Sequence, residues 1–233
     1  MVAGQKKQAV PLRKKILNEI RRSIATGELL PGSRLTERTI SEAYGVSRTV
    51  AREVIRELEV ERLGEMVPHR GLCISRLTPE LVSDIYEIRT ALELQITLRF
   101  TEVATSEEVA RLRHIFTLLE AIKHTDRYED IALRTAALTD YMVAVTRKRT
   151  AGEILHHLDT RITMLRILSL RNPGQTACGI TLLDRIITAI ERRGTAAVEV
   201  SLREYLAVAS ISAMAQLERE PSPAGARGVG KPA

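Results

Sequence analysis

Arg48, Arg52 and Arg56 recur every four residues in ISEAYGVSRTVAREVIREL (residues 40–58), directly after a Tyr44-Gly45-Val46 turn. On an α-helix that spacing stacks them along one side. A guanidinium is planar, permanently charged and presents a fork of donors. It therefore bonds a guanine edge or a phosphate bidentately. Ser47 is placed to cap a helix running from about Arg48 to Arg62. Ala51, Val54, Ile55 and Leu58 follow i, i+3, i+4, i+7 and supply its buried stripe on a separate face. The chemistry offered is recognition of double-stranded DNA by Ser47, Arg48, Thr49 and Arg52 at the exposed start of that helix. The competing expectation is a solvated face on which Arg52 and Arg56 merely pair with Glu53 and Glu57.

Other chemistries find little material. The five histidines, His69, His114, His124, His156 and His157, make no recognisable ligand spacing. There is no Ser/His/Asp set and no phosphate loop, so an enzyme is not expected. Cys73 and Cys178 are the two cysteines, without CxxC spacing, and read as reduced thiols of a cytoplasmic protein. With no Trp and two Phe, aromatic stacking on single strands is not the main business. No apolar run is long enough for a membrane span.

The elements that must hold these arginines can be read outward from them. Leu12, Ile16, Ile20 and Ile24 recur every four residues and predict a helix from Pro11 to about Thr26, ended by Gly27. ELLPGSRL reads as a turn. Thr36 is placed to cap a helix over TERTISEAY, and Gly45 allows the tight turn into the arginine helix. Two short helices joined by a glycine turn make a helix-turn-helix. MVPHRGLCISRL then predicts a small hairpin, a wing with His69 and Arg70 at its tip. Residues 1–77 hold 15 Lys/Arg against 9 Asp/Glu, and residues 78–220 hold 18 against 20. The basic surplus thus sits where the polyanion partner is expected.

GELLPGSRLTERTISEAYGVSRTVAREVIRELEVERLGEMVPHRGLCIS resembles the DNA-binding domain of the GntR family of bacterial transcription regulators. The resemblance implies DNA contact by Arg38, Arg48, Thr49 and Arg52 and by the wing at His69, Arg70 and Gly71, with Ser47 at a phosphate. One departure stands out: Arg62 occupies a position, shortly after the recognition helix, where related sequences usually have glycine.

From Thr78-Pro79-Glu80, a capping Thr with Pro at the first helical position, helix follows helix. Thr105 to Glu108 is a capping box. Further segments are expected at about 127–146, 151–171, 178–193 and 195–219, broken at Asn172-Pro173-Gly174 and Gly194. The fold class is mainly α. A disordered arm (1–9) precedes a winged helix-turn-helix domain (10–77). An all-α antiparallel bundle (78–220) for effector binding and dimerisation and a disordered tail (221–233) follow. The bundle resembles the FCD-type effector domain of the FadR-like subfamily, on IYEIRTALELQ with its Arg89 and Glu93 pair and on ERRGTAAVEVSLREYL.

Many members of that subfamily hold a divalent metal through one Asp and three His. Here Ala137, Tyr141, Leu183 and Tyr205 align with those positions, so no metal and no other cofactor is expected. Tyr141 and Tyr205 either face one another with their hydroxyls available for a ligand or simply fill the former site. Arg89, Arg134, Arg161 and Arg166 are candidates to hold an acidic effector. The resemblance implies a sequence-specific regulator, a repressor, acting on operator DNA as a homodimer. Its bundle senses a small metabolite without metal, and no membrane partner is expected. The alternative is a ligand-independent DNA-binding dimer whose bundle is a scaffold.

Overall fold

The structure, a computed structural model, describes residues 12–219. The expected arm at residues 1–9 and tail at residues 221–233 lie outside them. The described residues form two compact units, the first ending at Arg76 and the second beginning at Leu77.

The first unit runs α1 (Leu12–Thr26), β1 (Arg34–Leu35), α2 (Glu37–Tyr44), α3 (Arg48–Val60), β2 (Gly64–Val67) and β3 (Gly71–Ile74). Ile16, Leu17, Ile20 and Ile24 of α1 are buried, whereas Leu12, expected on the same stripe, is exposed at the helix start. Thr36 caps α2 reciprocally. Its hydroxyl accepts from the Thr39 N–H, and the Thr39 hydroxyl accepts from the Thr36 N–H. A left-handed Gly45 (φ 64°) ends α2, and Ser47 Oγ accepts from the Val50 N–H at 3.3 Å to open α3. Ala51, Val54, Ile55 and Leu58 of α3 are buried, which leaves its arginines outside.

The strands form one antiparallel sheet in the order β1–β3–β2, with Arg34 opposite Cys73 and Val67 opposite Gly71. β1 falls in the segment that the sequence reads as a turn. Two residues are too few to show alternation, and the strand exists only because β3 lies beside it. It ties the wing to the start of α2.

The second unit consists of α4 (Pro79–Val103), α5 (Ser106–Glu120), α6 (Tyr128–Thr146), α7 (Arg149–Leu170), α8 (Gln175–Glu191) and α9 (Thr195–Arg219). Thr78 and Thr105 cap α4 and α5 as their sequences predict. α4 packs on α6, α7 and α9, and α9 also packs on α7 and α8, so these two helices make the centre. α4 accordingly buries polar as well as apolar residues, Arg89, Glu93, Ile96 and Phe100 among them. α6 and α7 touch closely near their connection, where a Cβ on Gly152 would stand 2.6 Å from Val143 Cγ1. The end of α8 differs from expectation. Arg193, not Gly194, takes the left-handed turn (φ 57°), and its guanidinium donates to the Thr101 and Ala104 carbonyls at the end of α4. A side chain thus satisfies carbonyls that a helix end leaves without partners.

Candidate functional site

In the first unit Ser47, Arg48 and Thr49 stand exposed at the start of α3. Arg52 follows one turn later. It does not pair with Glu53 or Glu57; those carboxylates bind Arg13 of α1, at 3.2 and 3.1 Å. Arg52 instead grips Glu37 of α2 with both ends of its fork, Nε to Oε1 at 2.6 Å and Nη2 to Oε2 at 3.0 Å. This hydrogen-bonded pair holds the Glu37 carboxyl below its ordinary range, helped by the charges of Arg52, Arg48 and Arg56. The three arginines therefore share one electrostatic neighbourhood, as their spacing predicts, with Arg52 fixed in direction. No ion pair engages Arg48 among the described residues. Arg38 is exposed on α2 and pairs with Glu42 at 2.8 Å.

At the wing tip Pro68, His69 and Arg70 connect β2 to β3. The Arg70 N–H donates to the Val67 carbonyl at 2.9 Å, and His69 has φ 61°. Pro followed by a positive-φ residue is the pattern of a type II turn. Gly71 (φ 80°) cannot be replaced freely, since a Cβ there would stand 2.6 Å from the Leu35 carbonyl oxygen. Gly71 therefore serves the backbone, and the exposed side chains of His69 and Arg70 are what the tip offers.

In the second unit a cavity of about 530 Å³ opens along α6 and α7 and reaches Glu93 of α4. Asp140, Arg149, Glu153, His156, Asp159 and Arg166 supply the rest of its charged lining. A small cavity of about 30 Å³ shares Glu93, Thr139 and Arg166 with it and is otherwise lined largely by apolar residues, with Leu183 and Tyr205 in its wall. Two of the positions aligned with metal ligands thus close on a space hardly larger than a water. Ala137 and Leu183 offer no donor atom, and among the described residues no three His, Cys, Asp or Glu side chains converge on one point. The residues present do not fit the family's metal.

Of the candidate effector residues, Arg89 and Tyr205 are brought near one another around Glu93, and the others lie apart from them. Tyr205 lines the small cavity. Tyr141 lines neither cavity; its hydroxyl donates to the Glu108 carbonyl at 3.2 Å and its ring meets Phe100 edge-on. Arg134 is exposed and donates to the Leu118 carbonyl at 3.3 Å. Arg161 lies on α7 outside both linings. Arg89 is fully buried and gives its Nε–H to Glu93 Oε1 at 3.0 Å, with its guanidinium over the Tyr86 ring. Arg166, 8% exposed, faces the same carboxylate at 4.0 Å.

Charge inside the bundle follows from this crowding. Burial opposes the charge on Arg89, but Glu93 beside it holds the guanidinium above its usual range. Burial and the neighbouring Arg89 push Arg166 down. Burial pushes the Tyr86 phenol up to about 12, and raises Tyr205 as well. Desolvation, with Asp159 nearby, raises the Asp140 carboxyl. Asp159, Arg149 and Glu153 were not singled out from sequence. A signal existed, because His156, Asp159, Ile162 and Arg166 recur at helical spacing on one side of α7.

A winged helix-turn-helix followed by a helical unit with an internal charged cavity defines a DNA-binding regulator with a ligand-binding class of bundle. Residues 12–74 match the family described as bacterial regulatory proteins, gntR family, and residues 84–208 match the FCD domain. The chain belongs to the GntR family of transcription regulators, with an FCD domain. It is 28% identical over 153 residues to the HTH-type transcriptional regulator YdhC of Bacillus subtilis (strain 168), a match covering 65% of this chain and 68% of that one. It is 29% identical over 116 residues to the gluconate operon transcriptional repressor of the same strain, 50% of this chain and 46% of that one. The solved structure of Escherichia coli McbR/YncC shares the fold, with a TM-score of 0.75, 19% identity and coverage of 91% of this chain and 99% of that one.

Proposed function

We propose that the protein is a sequence-specific repressor that binds operator DNA as a homodimer in the cytoplasm and senses a small metabolite through its bundle without a bound metal. The observation that carries the DNA-binding part is the exposed Ser47-Arg48-Thr49 start of α3, with Arg48 in no ion pair among the described residues beside an Arg52 held by Glu37. A free guanidinium is available to a guanine edge, while a fixed one presents a constant positive charge to the backbone. Two copies related by a two-fold axis would read a near-palindromic site. Metal-free sensing is supported by Ala137 and Leu183, which cannot ligate, and by the 530 Å³ space along α6 and α7. A bundle serving only as scaffold has no need of such a space.

Arg48→Ala tests the first part. Binding to DNA from the protein's own promoter region, followed by fluorescence anisotropy, should weaken by about 1–3 kcal/mol, with base preference relaxed. Unchanged affinity for both that DNA and random DNA would remove Arg48 from the interface. A thermal-shift screen of the metal-stripped protein tests the second part, with carboxylic acids, sugar acids and acyl-CoA compounds each with and without zinc. A ligand of the native state raises Tm by mass action. The rise should be independent of zinc; a rise only with zinc would restore a metal site.

A further inference from the structure

Two guanidiniums are buried in the bundle around one carboxylate. Arg89 and Glu93 are 1% and 5% exposed and hydrogen-bonded, and Arg166 stands 4.0 Å from the same Glu93 oxygen. The trio therefore carries one positive charge more than it neutralises. Arg166 Nε and Arg89 Nη1 are buried without a hydrogen-bond partner. A buried charge and an unused donor are both costly, and each is relieved by an anion. Of the two arginines, Arg166 lines the 530 Å³ cavity.

The outer lining is anionic on balance, with Asp140, Glu153 and Asp159 against Arg149. Asp140 of α6 and Asp159 of α7 are exposed side chains in the cavity wall, and no ion pair engages either among the described residues. The charge of Asp159 raises the Asp140 carboxyl, and that of Arg166 acts in the opposite direction. Asp159 and Arg166 are seven residues apart on α7, about 10 Å along its axis. The cavity thus has a cationic inner end within electrostatic reach of an outer part that is anionic on balance. Ala136, Thr139 and Ile162 line the stretch between.

We propose that the effector of this cavity is a small zwitterion, its carboxylate bonded to Arg166 and its ammonium group set between Asp140 and Asp159. This rests on the reading of the bundle as a metal-free sensor and names the chemistry of its ligand. A dicarboxylate would meet Asp140 and Asp159 with like charge. A diamine would meet Arg166 with like charge. Only a molecule with both signs complements both ends.

The test uses the full-length protein and three series of straight-chain probes, of four to eight carbons: ω-amino acids, dicarboxylic acids and diamines. Members of one length share size and differ only in their end charges. Thermal shift and isothermal titration calorimetry should report binding of one or more ω-amino acids and at least about tenfold weaker binding of the matched dicarboxylate and diamine. Arg166→Gln should abolish the response. Asp140→Asn and Asp159→Asn, exposed substitutions that leave the core intact, should each weaken the ω-amino acid and strengthen the dicarboxylate of that length. Equal or tighter binding of dicarboxylates or diamines by the unaltered protein would overturn the zwitterion while leaving a metal-free sensor in place. No response to any of the three series would also overturn it. The sensing reading itself falls only when the broader zinc-controlled screen is silent as well.

Discussion

Arg62 takes a left-handed turn that an L side chain resists. It has φ 54°, its N–H donates to the Glu59 carbonyl, and the Leu63 N–H donates to the Leu58 carbonyl. Those two bonds are the Schellman ending of α3, with Leu63 packed inside as its apolar partner. The position wants glycine, because a Cβ in this conformation costs about 1 kcal/mol or somewhat more. The departure from the family pattern at Arg62 has its consequence in the backbone. Arg62→Gly should raise stability by about 1 kcal/mol, read from the midpoint of urea unfolding, with no change in m. A lowered midpoint would mean that the Arg62 side chain contributes more than its backbone costs. Arg193 has the same conformation at the end of α8, yet its side chain holds two carbonyls of α4. A glycine there would lose that contact, so the same substitution is not expected to help.

Element by element, legibility tracks how local each determinant is. The caps at Thr36, Ser47, Thr78 and Thr105 are encoded within four residues and were readable. So was the buried stripe of α3, which has one wet face. β1 was not readable, since its partner lies almost 40 residues away in β3. α4 shows the other limit. A helix surrounded by neighbours has no dry and wet sides for its pattern to report, so the spacing of Arg89 and Glu93 does not say whether they face water or core. Their burial is set by α9 and α7 packing over them. The cavity is not legible in the sequence for a related reason: α7 interleaves His156, Asp159 and Arg166 with its apolar residues, and only α6 decides which of them share a space. Tyr141 illustrates the converse. Alignment placed it in a former ligand position, and a single bond to the Glu108 carbonyl anchors it on α5.

At the scale of the whole molecule, the division of charge separates two kinds of arginine. The first 77 residues carry the entire net +6, so DNA affinity must contain a large counterion-release component and fall steeply with salt. On the proposed function, Arg70, exposed at the wing tip, would meet the backbone or minor groove, and Arg48, exposed at the start of α3, a base edge. Replacing each by Ala removes one positive charge, but the consequences differ. Arg70→Ala should weaken binding to operator and random DNA alike and reduce the slope of log K against log salt by about 1 per wing. Arg48→Ala should mainly shrink the ratio between operator and random affinities. Titrations of both variants on both DNAs over a range of salt concentrations check this in one experiment. An unchanged slope for Arg70→Ala, with specificity lost instead, would mean that the wing reads sequence and that phosphate contact belongs to other residues such as Arg38.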